Sequence, residues 1–189
     1  MPEANESLLE AMSAAVKGDT RRARVILKRI LRRDPKNLEA LIAIGALLNT
    51  SEETAEDAMK YLIRAVKIDP KNPTAWSHLA ESLLLLERYE RAEKYFRKAI
   101  ELKPDNPNYW HRLGIALDKL KRREEAIYAI SKSLELNPMQ DSPWISLGLV
   151  YLRQKNTEKA IESFQKALVL NPQNSLALKQ LEEAKDSQS

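Results

Sequence analysis

Cysteine is absent from this 189-residue chain, and glycine and phenylalanine are scarce, with four and two copies. The lack of cysteine excludes disulfide frameworks, thiolate nucleophiles and sulfur-ligated metal centres, and it fits a cytoplasmic location. No apolar run approaches the roughly 18 residues that a membrane span needs, and the first ten residues lack the basic and apolar regions of a secretory signal. We therefore expect a soluble cytoplasmic protein with no transmembrane segment.

Groups that could support catalysis are also few. The chain has two histidines, His78 and His111, and no glycine-flanked serine, whereas covalent catalysis needs a nucleophile with a base and an orienting group. Its four glycines are scattered, so no loop is suited to cradle a phosphate. We predict that the protein is not an enzyme and has no cofactor, metal ion or small-molecule substrate. A weak metal or proton-binding site at His111, with Glu81 nearby, is an alternative to a solvated histidine.

Helix-forming residues dominate the chain, and a repeat of about 34 residues organises it. Leu, Ala, Glu, Lys and Arg are abundant, which favours helices over strands. Proline recurs at steps of 35, 34, 34 and 34 residues, and tryptophan and alanine recur in step with it. These prolines are Pro35, Pro70, Pro104, Pro138 and Pro172.

Each repeat is predicted to be a helical hairpin. Proline disfavours a helical conformation in the residue before it, and the Asn or Asp close behind can accept a hydrogen bond from the next helix's free amides. Two amphipathic stretches lie between successive prolines, for instance residues 75–87 and 90–102. The predicted repeats are 4–37, 38–72, 73–106, 107–140 and 141–174, followed by a capping helix at 175–186.

The repeats resemble the tetratricopeptide repeat family. The fifth repeat carries every signature residue of that family, namely Trp144, Leu147, Gly148, Tyr151, Ala160, Phe164, Ala167 and Pro172. The resemblance implies an all-α fold, in which five hairpins and a cap form one domain, an α-solenoid with a right-handed superhelical course. The fourth repeat has Ile130 and Ser133 in place of Phe and Ala, so we expect its second helix to pack less tightly. The second repeat has an extra residue within 49–56, which we expect to lengthen only a turn.

The resemblance further implies that the first helix of each hairpin lines a concave groove in which a partner protein or peptide sits. The inner positions of the first hairpin are Leu8, Met12 and Val16. The inner positions that we predict as partner contacts are Ile42, Ser77, Glu81, Leu84, Asn108, His111, Ile115, Asp118, Lys119, Ile145, Leu149, Leu152 and Arg153. Among them, Ile115, Ile145, Leu149 and Leu152 are predicted to form an open hydrophobic strip, which we call the inner strip. Coverage of this strip by the capping helix is the alternative. The predicted function is a protein-binding adaptor or scaffold.

Charge suggests a second surface. Residues 1–37 hold nine Lys and Arg and five Asp and Glu, while the remaining 152 residues hold 22 of each sign. Seven basic residues share one predicted helix: Arg21, Arg22, Arg24, Lys28, Arg29, Arg32 and Arg33. Such a face attracts acidic proteins, nucleic acid or anionic membrane surfaces, although aromatic stacking residues are absent and nucleic acid is the less favoured partner. Simple solvation of an end repeat is the plainer interpretation, and self-assembly is a third possibility for the function.

Overall fold

A computed structural model describes the backbone of residues 2–187 and the side chains of residues 7–187. Over this range the chain forms eleven α-helices and no strand. The helices are α1 (Pro2–Val16), α2 (Thr20–Arg33), α3 (Leu38–Leu48), α4 (Glu52–Ile68), α5 (Pro73–Leu85), α6 (Tyr89–Leu102), α7 (Pro107–Lys119), α8 (Arg123–Leu136), α9 (Asp141–Arg153), α10 (Thr157–Leu170) and α11 (Ser175–Asp186).

The chain divides into two compact units, Met1–Leu102 and Lys103–Ser189. In the first unit, α1 packs on α2, α3 on α4 and α5 on α6, and α3 also contacts α1 and α5. In the second unit, α7 packs on α8 and α9 on α10, while α11 packs on α9 and α10. The predicted all-α helical-repeat fold is therefore confirmed. The single domain spanning 1–189 remains a prediction.

Asparagine stands directly before many of the helices and caps their first turn. Asn37, Asn72 and Asn174 each accept a hydrogen bond, at 3.0–3.1 Å, from the backbone N–H three residues ahead. These contacts satisfy amides that the first turn of a helix leaves without partners. The fifth hairpin differs, because Gln140 at the same place makes no side-chain cap. There, Asp141 instead accepts hydrogen bonds from Asn171 and Asn174, which hold the pKa of its carboxyl below the ordinary value.

The extra residue of the second hairpin lengthens a helix rather than a turn, so our expectation for it is wrong. The connection between α3 and α4 is residues 49–51, the same length as the connection at residues 86–88 between α5 and α6. In contrast, α4 has 17 residues and α3 has 11, against 14 in α6 and 13 in α5. Glu52 and Glu53 favour the earlier start of α4, because acidic side chains stabilise the positive end of a helix.

Four of the five hairpins turn on a residue in the left-handed conformation. Gly18 has φ of 80°, and the three later turns place Glu87, Lys121 and Lys155 at φ between 55° and 62°. In each turn the next residue donates its backbone N–H to the carbonyl five residues earlier, as Arg122 does to Leu117 at 3.0 Å. This pattern satisfies carbonyls at the end of the helix.

Paired helices approach closely where glycine faces a large side chain. A Cβ built on Gly148 would lie 2.5 Å from Cε1 of Phe164, and one built on Gly114 would lie 2.5 Å from Cγ1 of Ile130. Ile130 and Ser133 are both fully buried. The second helix of the fourth hairpin therefore packs as closely as that of the fifth, contrary to our expectation, because the Cγ1 branch of isoleucine reaches the glycine as the phenylalanine ring edge does.

Candidate functional site

The inner faces of α1, α3 and α5 line a cavity of about 590 Å³ in the first unit. We call it the N-terminal cavity. Its size is within the range typical of ligand clefts. The residues that line it are Leu8, Leu9, Met12, Glu39, Ile42, Ala43, Ala46, Asn72, Thr74 and His78.

Most of the N-terminal cavity is apolar and open to solvent. Leu9 and Met12 on α1 are 66% and 54% exposed, and Val16, one turn further along α1, is 89% exposed. Because residues 9, 12 and 16 lie on one face of a helix, these side chains form a continuous apolar stripe. Single exposed apolar residues are ordinary, but a contiguous stripe beside a cavity is typical of an interaction site.

A hydrogen-bond network fixes the polar end of this cavity. Nδ1 of His78 lies 2.8 Å from Oε2 of Glu81. Asn49 donates from Nδ2 to the carbonyl of His78 at 2.8 Å, and the Ser82 hydroxyl donates to Oδ1 of Asn49 at 2.6 Å. The network joins the end of α3 to the middle of α5, so it holds two walls of the cavity in place.

The predicted contacts of the first unit divide into accessible and inaccessible side chains. Ile42 lines the N-terminal cavity, Leu84 is half-buried and Glu81 pairs with His78. Ser77 is buried, at 4% exposure, and its side chain cannot reach a partner. The prediction of Ser77 as a partner contact is therefore wrong. The prediction also omitted Leu9, which lies beside the inner positions; its apolar spacing with Met12 and Val16 was the available signal.

In the second unit, two polar contacts join α7 to α9. Arg153 donates to Oδ2 of Asp118 at 2.5 Å, and Nε2 of His111 lies 2.8 Å from the hydroxyl of Ser146. Burial lowers the pKa of His111 to about 4, and the positive charge of Arg112 contributes in the same direction. His111 is therefore neutral at pH 7, and these contacts brace two helices.

The inner strip of the second unit is not open as predicted. Ile145 is only 6% exposed and belongs to a core cluster with Phe164 and Ala177. Leu149 and Leu152 pack against the same cluster. The physical reason is that α11 packs on α9, in agreement with the alternative prediction that the capping helix covers this strip. The remaining predicted residues of this unit keep some exposure: Ile115 is half-buried, and Asn108 and Lys119 are exposed.

The predicted basic residues all lie on α2 and are exposed. Arg22 donates to Oε1 of Glu10 at 2.7 Å, and Arg29 lies 3.9 Å from Oε2 of the same carboxylate. The hydrogen bond and charge of Glu10 raise the pKa of Arg22 above its ordinary value. Glu3 and Glu6 contribute to the charge count of residues 1–37, and their side chains lie outside the described residues.

Among the side chains of residues 7–187, no group of three or more His, Asp or Glu is placed to hold a metal ion. No helix in this range combines the length and apolar character of a membrane span.

Family comparison agrees with this architecture. A family model described as tetratricopeptide repeat matches residues 49–114 and 83–148, which together span more than half of the chain. Two further models of the same description match residues 8–73 and 143–174. The chain belongs to the tetratricopeptide repeat family. Among curated proteins, no match to its sequence was found.

Solved tetratricopeptide repeat structures share the fold. A thermophilic TPR protein of Thermus thermophilus has 18% identity and a TM-score of 0.83, covering 96% of this chain and 98% of that chain. MamA from Desulfovibrio magneticus has 21% identity and a TM-score of 0.76, covering 93% and 98%. YrrB, described as a TPR protein with an unusual peptide-binding site, has 22% identity and a TM-score of 0.69, covering 92% and 89%. At these identities the likeness shows the fold alone.

The signature tryptophans of the tetratricopeptide repeats close turns as well as fill space. Trp76, Trp110 and Trp144 each donate their indole N–H to the carbonyl of the proline six residues earlier, at 2.8, 2.8 and 3.2 Å. Each bond ties the first turn of a hairpin to the proline that ends the previous one. The recurring spacing of Trp and Pro therefore has a direct structural cause. As a member of this family, the chain belongs to the general class of protein-interaction scaffolds.

Proposed function

We propose that the chain is a non-catalytic, cytoplasmic adaptor that binds an apolar helix or peptide of a partner protein in the N-terminal cavity. The observation that carries this proposal is the stripe of Leu9, Met12 and Val16 beside a 590 Å³ cavity whose walls come from three helices. An amphipathic segment binds such a groove by placing side chains from successive turns against it.

Burial of the partner's apolar side chains supplies the driving force. Each aliphatic side chain removed from water contributes about 1.5–3 kcal/mol before the costs of ordering and association. Three such anchors supply about 4.5–9 kcal/mol before those costs. Micromolar binding requires about 8 kcal/mol after them, so further contacts of the partner must contribute. The open form of the cavity suits reversible engagement of a segment rather than enclosure of a small molecule.

The rim of the cavity favours a partner with basic flanking residues. Its ten lining residues include Glu39 and no lysine or arginine, and the Glu81 carboxylate lies next to His78. Opposite charges at a rim guide encounter and orientation more than they add affinity. We therefore expect aliphatic side chains at helical spacing followed by Lys or Arg. The peptide-binding site that is described for YrrB makes a peptide ligand a reasonable class for this fold.

The first experiment pans a displayed peptide library against the full chain and against a Leu9→Gln/Met12→Gln variant. Both residues are exposed on α1, so the helix should stay folded, and circular dichroism checks this. Peptides selected on the wild type should share an aliphatic pattern and lose at least tenfold in affinity on the variant, because part of the apolar contact is gone.

A Val169→Gln/Leu178→Gln variant is the matched control, because these two apolar residues are 81% and 48% exposed, belong to the second unit and do not line the cavity. Peptide affinity should change less than twofold on this control. Selection of peptides that bind all three proteins equally would refute the cavity as the site.

Self-assembly is the competing function. Light scattering over a concentration series would reveal it as a molecular mass that rises with concentration and no longer rises in the Leu9→Gln/Met12→Gln variant.

A further inference from the structure

The basic side chains of α2 form a second surface that lies apart from the cavity residues. The helix buries Ala23, Ile26 and Ile30 on one side. The opposite side presents Arg21, Lys28 and Arg32 to solvent. Because α2 has 14 residues, this charged surface runs for about 21 Å along the helix. We call it the basic face.

Most cations of the basic face have no ion-pair partner among the described side chains. Within the described part of the chain, Arg21, Arg24, Lys28, Arg32 and Arg33 make no ion pair, while Glu10 is shared by Arg22 and Arg29. The hydrogen bond and charge of Lys60, at 2.7 Å, lower the pKa of the Asp57 carboxyl, and the charge of Lys28 makes a smaller contribution in the same direction. Uncompensated charge of one sign on a rigid helix attracts ligands of the opposite sign.

The order of side chains on this face indicates the class of ligand. Arg21, Val25, Lys28 and Arg32 follow one another at steps of four, three and four residues, which places them in one line on the helix. Val25, in the middle of the line, is 62% exposed. A cationic line interrupted by an aliphatic residue matches a second helix with carboxylates one turn apart and an aliphatic side chain between them.

We propose that the basic face binds an acidic amphipathic helix of a partner protein. Six of its seven cations are arginines, whose planar guanidinium groups form paired hydrogen bonds with carboxylates. Nucleic acid fits less well, because α2 has no aromatic side chain on which a base could stack. A lipid surface also fits less well, because Val25 is the single exposed apolar residue of this helix and offers little area to insert.

The test measures fluorescence anisotropy of a labelled 15-residue peptide with Glu at one-turn spacing around a central Leu, at low ionic strength. The full chain should bind it, and salt should weaken binding steeply. An Arg21→Gln/Lys28→Gln/Arg32→Gln variant should bind about tenfold more weakly, since three exposed charge pairs are lost. A peptide with Gln in place of each Glu should show no binding.

A Lys67→Gln/Lys71→Gln/Arg91→Gln variant is the matched control, because it removes the same net charge from exposed positions of the same unit. Its peptide affinity should stay within about twofold of that of the wild type, because the three cations that it removes lie outside the basic face. Equal weakening in both triple variants would overturn the proposal, since general charge attraction would then be the cause. It would also fail if phosphatidylserine vesicles or a 20-base-pair DNA duplex bound through the basic face and the acidic peptide did not. The Leu9→Gln/Met12→Gln variant should bind the acidic peptide normally, which separates this surface from the cavity.

Discussion

At the scale of single residues, Ser133 has an unusual environment. It is fully buried in α8, and its hydroxyl has no hydrogen-bond partner among the described residues. Ser163 on α10, at 3% exposure, is comparably buried, yet its hydroxyl donates to the carbonyl of Lys159 at 2.7 Å. A buried polar group without a partner lowers the stability of the fold because its hydration is lost and not replaced.

Replacing Ser133 with alanine should raise the free energy of unfolding by about 1 kcal/mol, because the unpaired hydroxyl is removed and alanine favours the helix. Chemical denaturation monitored by circular dichroism measures the change. Ser163→Ala is the control, and its effect should be close to zero because a lost hydrogen bond offsets the gain in helix propensity. Equal stabilisation by the two substitutions would contradict this explanation.

Which side chains are accessible could be predicted only in part from the sequence. The apolar character of Ile145 was evident, but periodicity does not reveal which of two apolar faces on α9 a later helix covers. Ser77 was assigned to the groove by its position in the repeat, although the packed helices leave it 4% exposed. Ile42, which is also predicted as a groove residue, lines the N-terminal cavity.

At the scale of helices and turns, the left-handed residues can be tested directly. Lys121 and Lys155 adopt φ of 62° and 61°, a region that crowds the Cβ of any residue except glycine. Lys121→Gly and Lys155→Gly should each raise the free energy of unfolding by up to about 1 kcal/mol, since the native turn is relieved of this crowding. Thermal and denaturant unfolding would measure the change.

Lys94→Gly is the control, because it should change the free energy of unfolding in the opposite direction. Lys94 lies inside α6, where glycine should lower the free energy of unfolding by about 1 kcal/mol. Destabilisation by glycine at both kinds of position would show that the left-handed turns carry no appreciable strain.

The hairpins themselves were predictable because their signals are local and repeated. Proline, the asparagine caps and the apolar period all indicate the same boundaries, and α3, α5 and α7 begin at Leu38, Pro73 and Pro107. The longer α4 was not foreseen, because the polar residues 49–56 suit a turn and a helix start equally well. Whether these residues form a turn or start a helix depends on tertiary contacts, such as the hydrogen bond from the Thr54 hydroxyl to the carbonyl of Leu48. Such contacts cannot be recognised from the sequence.

At the scale of the whole molecule, stability should be uneven along the chain. In repeat proteins each hairpin is stabilised mainly by its neighbours, so a helix that buries few apolar side chains is held less firmly than one that buries many. Leu9, Met12 and Val16 on α1 are largely exposed, whereas Leu62 and Ala65 on α4 are fully buried.

Amides of α1 should therefore exchange hydrogen at least tenfold faster than those of α4 in the same sample. Mass spectrometry of peptides from deuterated protein provides the measurement, with α4 as the internal reference. Uniform protection from α1 to α4 would mean that the first unit opens in one cooperative step. A selected cavity-binding peptide should slow exchange in α1 selectively.

The hydrogen bonds of Asn49 also limit how freely the repeats could be rearranged. Its amide joins the end of α3 to His78 and Ser82 on the next hairpin. A consensus module inserted between these hairpins would leave those donors and acceptors without partners, whereas the signature contacts of Trp and Pro would survive. Recombining such modules in an engineered array would therefore require the second and third hairpins to be transferred as one block.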